Sequence, residues 1–279
     1  MIINILLLII IVFYIILLLW YYTNLQQALF INKYSSFKNK NIKILSYNIN
    51  YFPWTYKNLD ELEKIINKYD IICFQELYTN LAQNNKLWLE HLSRKYKYNV
   101  IYNPKVSFPK VMSSDLAILT KYKINKHEFY LYKNSKSVDK FSNKGILSAN
   151  IQINDKTLNI YNTHMQAYYD KKDYILYPQI KELKAQVKNN FILTGDFNVN
   201  PIILQQFYNK NYFYIPKNPT IYSQYNGPTQ SKSQCEDKLN YKPDTFDYFI
   251  SDSIKLNLAE NKCIKTISDH TYIHGVFNL

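Results

Sequence analysis

The chain has 279 residues, 47% of them hydrophobic and 20% charged, an ordinary globular composition that leaves room for one large domain or two small ones. Three cysteines, Cys73, Cys235 and Cys263, are an odd number without metal-ligand spacing, and they read as reduced thiols in a cytosolic fold rather than as a disulfide framework. The net charge of +13 favours an anionic partner (nucleic acid, an acidic membrane surface or a phosphate-bearing substrate) without choosing among them.

The first element is IINILLLIIIVFYIILLLWYY, residues 2–22, which holds no charged side chain and only Asn4 as an interruption. About 20 such residues span the hydrocarbon core as a helix. Trp20, Tyr21 and Tyr22 stand at its end, where amphipathic rings favour the headgroup region. The run lacks the basic start, short apolar core and small-residue cleavage site of a signal peptide, so residues 1–23 read as an uncleaved transmembrane anchor. Lys33, Lys38, Lys40 and Lys43 follow it, which places the rest of a single-pass protein on the cytosolic side. Residues 24–40 read as a polar tether, and residues 41–279 as one α+β domain.

Within that domain residues 42–49 form an apolar, β-favouring run. Residues 59–69 carry Leu59, Leu62, Ile65 and Ile66 at helical spacing, 70–76 are a short buried strand, and 85–96 are a second amphipathic helix. Apolar runs follow at 98–102, 115–120 and 127–132. GILSANIQI and TLNIYNTH flank Asn154, Asp155 and Lys156, a turn that predicts an antiparallel hairpin. Residues 174–189 predict a helix interrupted early by Pro178, NFILTGD a strand with Gly195 allowing the chain to turn, and 201–208 a helix that starts on Pro201. Residues 209–244 lack periodicity; 245–251 and 271–279 predict the last strands.

Several of these strands end in oxygen- or nitrogen-bearing side chains: Asn48 and Asn50, Gln75 and Glu76, Asn162 and His164, Asp196 and Asn198. Asp247 lies inside an aromatic strand, and Asp269 and His270 precede the last one. Taken singly, each is an ordinary turn or surface residue. Together they predict one polar rim on a packed sheet sandwich, whose carboxylate and amide oxygens suit a hard cation such as Mg²⁺ and whose two histidines suit phosphate-ester hydrolysis better than zinc.

The ordered set NIN, QE, NTH, GDFN and SDH resembles the endonuclease/exonuclease/phosphatase superfamily over about residues 42–279, and most of all its neutral sphingomyelinases. The resemblance implies a four-layer α/β sandwich, two mixed β-sheets flanked by helices. It implies Glu76 as the main Mg²⁺ ligand (Mn²⁺ being the alternative ion), with Asn48, Asn50 and Asp269 beside it. Asp196 would orient or deprotonate the attacking water, Asn198 would hold a phosphate oxygen, and His164 would donate to the phosphoryl oxygen. His270 would act as general base or acid, oriented by Asp247.

Two flanking stretches, THMQAYYD (163–170) and DKFSNKG (139–145), resemble the sphingomyelinase branch, in which an Asp and a Lys pair to shape the site; here these are Asp139 and Lys144. Tyr168, Tyr169, Tyr174 and Tyr177 read either as an interfacial belt or as half-buried helix residues. Ile49, Asn50 and Tyr51 after Asn48, and Asp115 in SSDLAILTK, depart from the branch pattern. The implied activity is hydrolysis of sphingomyelin or a related phospholipid to a ceramide-like lipid and phosphocholine, with no obligate protein partner evident. A membrane-tethered DNA or RNA nuclease of the same superfamily is the alternative, and a non-catalytic lipid- or partner-binding module the third reading.

Overall fold

The structure is a computed structural model that describes residues 2–25, 28–34, 39, 41–51, 59–77, 85–103, 116–167, 175–208, 213–221, 244–264 and 267–278. Among these residues thirteen strands build two sheets. The first sheet runs, in spatial order, β1 (Leu29–Ile31), β4 (Asn99–Asn103), β5 (Leu116–Thr120), β3 (Ile71–Leu77), β2 (Asn41–Tyr51), β13 (Tyr272–Asn278) and β12 (Lys255–Lys262). The second runs β10 (Phe213–Tyr214), β11 (Asp247–Ser251), β9 (Phe191–Asp196), β8 (Lys156–His164), β7 (Gly145–Ile153) and β6 (Lys123–Leu131).

Each sheet has one parallel pair at its centre, β2 with β3 and β8 with β9. Parallel neighbours need a crossover, and each crossover here carries a helix: α2 (Asp60–Ile66) between β2 and β3, and α4 (Leu176–Gln186) between β8 and β9. Alternation along the strands separates three apolar layers. Ile44, Ile71 and Ile118 of the first sheet meet Leu147, Ile160 and Ile192 of the second between the sheets. Leu45, Ile72 and Phe74 point the other way, onto α2 and onto α3 (Asn85–Tyr96) through Leu62, Ile66, Leu89 and Leu92. Ile146, Leu193 and Tyr248 pack on α4 and on α5 (Pro201–Gln205) through Ile180, Leu183 and Leu204. Helix, sheet, sheet and helix are the four expected layers.

The structure departs from the sequence reading in several places. Residues 29–31, expected in the tether, pair with β4 as an edge strand, with Leu29 in the core. β12 was not expected; its residues 255–257, Lys-Leu-Asn, alternate exposed, buried and exposed, as an edge requires. Pro178 does not interrupt α4, because it lies in the first turn, where the missing N–H costs nothing. Cys73 is a buried free thiol, but Cys263 is disulfide-bonded, which corrects the expectation of three reduced cysteines.

At the amino end α1 (Ile2–Leu25) is helical for 24 residues. Its side chains are described from residue 5 to 17, all of them apolar and all exposed. Among the described residues no helix is long and apolar enough to cross a membrane; the span expected over residues 2–22 takes in side chains outside them. Tyr168, Tyr169, Tyr174, Asp115 and Cys235 also lie outside the described residues, while Tyr177 is exposed and packs on Phe207.

Candidate active site

The carboxyl ends of the two parallel pairs open on the same side of the sandwich, the position at which open α/β sheets bind ligands. In register, Asn48 lies beside Gln75 in the first sheet and His164 beside Asp196 in the second. Antiparallel β11 brings Asp247 against Asp196, and β7 brings Gly145 against His164. The pairing of the strands therefore gathers residues spread over more than 200 positions.

Local backbone irregularities then aim the side chains. The β2–β3 register shifts between Asn48 and Tyr51, and Asn50 (φ 44°) and Glu76 (φ 55°) both adopt left-handed backbone conformations at that bulge. Bulges beside active sites commonly re-aim a side chain in this way. Asn accepts this conformation readily, but a Glu there is strained. Asn198 (φ 51°) makes the corresponding turn after β9 and donates its N–H to Asp196 Oδ1 at 2.9 Å. Gly195 lies inside β9 rather than at a turn. It has φ 139°, and a Cβ on it would come within 2.0 Å of the Thr163 carbonyl oxygen, so this residue type is required by close backbone approach.

At the centre the Asn48 amide donates to Glu76 Oε1 (3.0 Å) and to Asp196 Oδ2 (2.9 Å), linking a carboxylate from each sheet. His164 Nε2 lies 3.5 Å from Glu76 Oε1 and 3.6 Å from Asp196 Oδ2, and neither ring nitrogen has a hydrogen-bond partner among the described residues. His270 Nδ1 bonds Asp247 Oδ2 at 2.8 Å, which leaves Nε2 facing Asp196 Oδ2 at 3.9 Å. To one side Asn50 donates to Asp269 Oδ1 at 2.7 Å. To the other, Lys144 Nζ pairs with Asp139 Oδ2 at 3.1 Å, and both grip the segment after His164: Lys144 donates to the Met165 carbonyl and Asp139 accepts from the Ala167 N–H. The Asn198 amide bonds the same Met165 carbonyl. All eleven residues expected at the site thus form one cluster.

Burial sets the electrostatics. Desolvation raises the proton affinity of Glu76 and of Asp196, the latter to about 7, with neighbouring carboxylates adding to the effect. Burial, with the positive charges of Lys144 and His270, holds His164 well below the usual imidazole range, so its ring is neutral. Burial would lower His270 too, but Asp247, Asp196 and Asp269 together outweigh it and hold that imidazole protonated. Two desolvated carboxylates aimed at one point beside a neutral, unpartnered imidazole are a donor set for a divalent cation, and Glu76, His164 and Asp196 each place a ligand atom within 4.8 Å of the others. The metal donors expected from sequence divide differently in space. Glu76 belongs to this group, Asn48 turns its NH₂ towards the carboxylates, and Asn50 and Asp269 pair with each other.

Three supports carried little sequence signal. Ser268 accepts from the His270 N–H and donates to the Asn48 carbonyl, joining the last motif to the first. Thr220, in the stretch without periodicity, accepts from the backbone N–H groups of Phe246 and Asp247, while its carbonyl takes the N–H of Thr271. Met165 acts through its backbone carbonyl, which no residue pattern reveals.

The model described as Endonuclease/Exonuclease/phosphatase family matches residues 45–270, a span that opens just before Asn48 and closes on His270. A phospholipase C of Staphylococcus aureus is 27% identical over 251 residues, 76% of this chain and 73% of its own length. A sphingomyelinase of Dictyostelium discoideum is 24% identical over 184 residues, 52% of this chain and 40% of its own length. Among solved structures, a mutant of the Staphylococcus aureus beta toxin with bound magnesium ions superposes with a TM-score of 0.61 at 20% identity, covering 84% of this chain and 99% of the toxin. At that identity the likeness shows the fold alone.

Proposed function

Because the chain belongs to the endonuclease/exonuclease/phosphatase family, we propose that it is a phosphodiester hydrolase and that its substrate is sphingomyelin or a related phospholipid, cleaved to a ceramide-like lipid and phosphocholine. The observation that supports this lipid reading most is the Asp139–Lys144 pair. It is buried and closed at 3.1 Å, and it holds the segment that follows His164, the feature by which the sequence resembles sphingomyelinases. The sphingomyelinase and phospholipase C relatives point the same way.

Glu76, Asp196 and His164 would hold a divalent cation, Mg²⁺ by the oxygen donors and by the magnesium of the beta toxin. When bound, such an ion polarises a phosphoryl oxygen and offsets the charge built up during displacement. Water is the nucleophile. Asp196 orients that water and receives its proton. His270, held as imidazolium by Asp247, returns a proton to the leaving oxygen from Nε2. Asn198 serves the phosphate oxygens, while His164, kept neutral by burial, offers a ring-nitrogen lone pair to the cation rather than a charge. The exposed apolar helix α1 anchors the domain at the bilayer, where the substrate is concentrated.

Sphingomyelin vesicles and plasmid DNA, incubated side by side with Mg²⁺ and with chelator, test the proposal. Mg²⁺-dependent release of phosphocholine with intact DNA is expected. Nicked or shortened DNA with untouched lipid would favour a nuclease, to which the basic charge is suited.

A further inference from the structure

Beneath the site, two amides occupy the otherwise apolar layer between the sheets. Gln75 and Asn162 are both fully buried. Gln75 Nε2 donates to Asn162 Oδ1 at 2.7 Å, across the gap between the sheets. Asn162 Nδ2 donates in return to the backbone carbonyls of Phe74 (2.8 Å) and Ala117 (3.0 Å), both in the first sheet. Buried amides cost stability unless paired, and a matched apolar pair would fill the same space without that requirement. Packing alone does not call for this pair.

Its position suggests what it does. Residues two apart on a strand share a face, so Asn162 and His164 both point at the first sheet. Cys73 and Gln75 face the second sheet, and strict alternation would turn Glu76 away from it, as it turns Phe74 onto the helices. The left-handed backbone at Glu76 breaks that alternation and swings the carboxylate towards His164 and Asp196. A strained residue keeps such a conformation only where its surroundings over-determine it. The amide pair grips β3 at the residue immediately before the strained one and β8 two residues before His164.

We propose that the Gln75–Asn162 pair is a positioning device: it locks Glu76 in its strained conformation and fixes the spacing between the sheets at which Glu76 meets His164 and Asp196. The inference deepens the metal-site reading and rests on it. The double substitution Gln75→Met/Asn162→Leu removes the hydrogen bonds while keeping the volume, so it separates positioning from stability.

Mn²⁺ binding to the full chain, followed by electron paramagnetic resonance, is compared with the thermal midpoint. Removing groups that orient metal ligands typically weakens metal affinity about 10–100-fold. Weakening of that size in the double variant, at a thermal midpoint close to that of the wild type, is the expected result. Mn²⁺ affinity within about twofold of the wild type would overturn the proposal and leave the amides a purely structural role. Should the double variant fail to fold, Gln75→Met alone, which keeps both Asn162 donor bonds, is judged by the same criterion. A wild type that binds no Mn²⁺ overturns the metal site itself and this inference with it, and that failure is seen before any substitution is made.

Discussion

At the scale of single residues, groups that look alike in sequence stand in different electrostatic states. His164 and His270 each follow an Asn or Asp motif, yet one ring is neutral and unpartnered while the other is charged and held by Asp247. His270→Ala is therefore expected to lower kcat by about 10²–10⁴-fold, the usual contribution of a positioned acid or base, with an unchanged far-ultraviolet circular dichroism spectrum. A variant retaining most activity would remove that role. That these residues gather was legible because carboxylates, amides and histidines recur at strand ends in one order. Their division of labour was not, because it depends on burial and on the direction in which each side chain is turned. Asn50 and Asp269 illustrate this: their types fit metal binding, and only the structure shows that they also bond each other.

At the scale of elements, the alternation of apolar residues and the turn at Asn154 sufficed for the hairpin, and helix α3 falls where its spacing predicts. The edge strands are hard to read because β1 has only three residues and the alternation of Lys-Leu-Asn-Leu in β12 gives way to Ala-Glu-Asn-Lys. Gly195 reads from sequence as a turn residue, and its role in close backbone approach becomes visible only with β8 beside it. Gly195→Ala should destabilise the fold by about 3 kcal/mol or more, since it combines a disfavoured φ with a backbone collision at Thr163. Urea unfolding would measure this, and a loss under about 1 kcal/mol would contradict the close approach.

At the scale of the whole molecule, two βαβ units, one in each sheet, converge on one site, and an exposed apolar helix lies at the amino end. Removing residues 1–25 should abolish turnover of vesicles while sparing that of a detergent-dispersed substrate; equal loss on both would argue against an anchor. The lysines after α1 fit a cytosolic domain and a disulfide at Cys263 an oxidising compartment, and thiol counting decides between them. Protein denatured without reductant should titrate fewer than three thiols. The Cys73 thiol, raised far out of its ordinary range by burial, should react only after unfolding. Three free thiols would contradict the disulfide.

The most direct measurement is the initial rate of phosphocholine release from sphingomyelin vesicles against free Mg²⁺, for chelator-treated wild type and for Glu76→Gln. The wild type is expected to be silent without metal and to saturate as the ion is restored, with Glu76→Gln needing at least about tenfold more Mg²⁺ for half its maximal rate. A wild type that releases phosphocholine equally well in chelator, or a Glu76→Gln curve that overlays it, would contradict a single metal-assisted site built from both sheets.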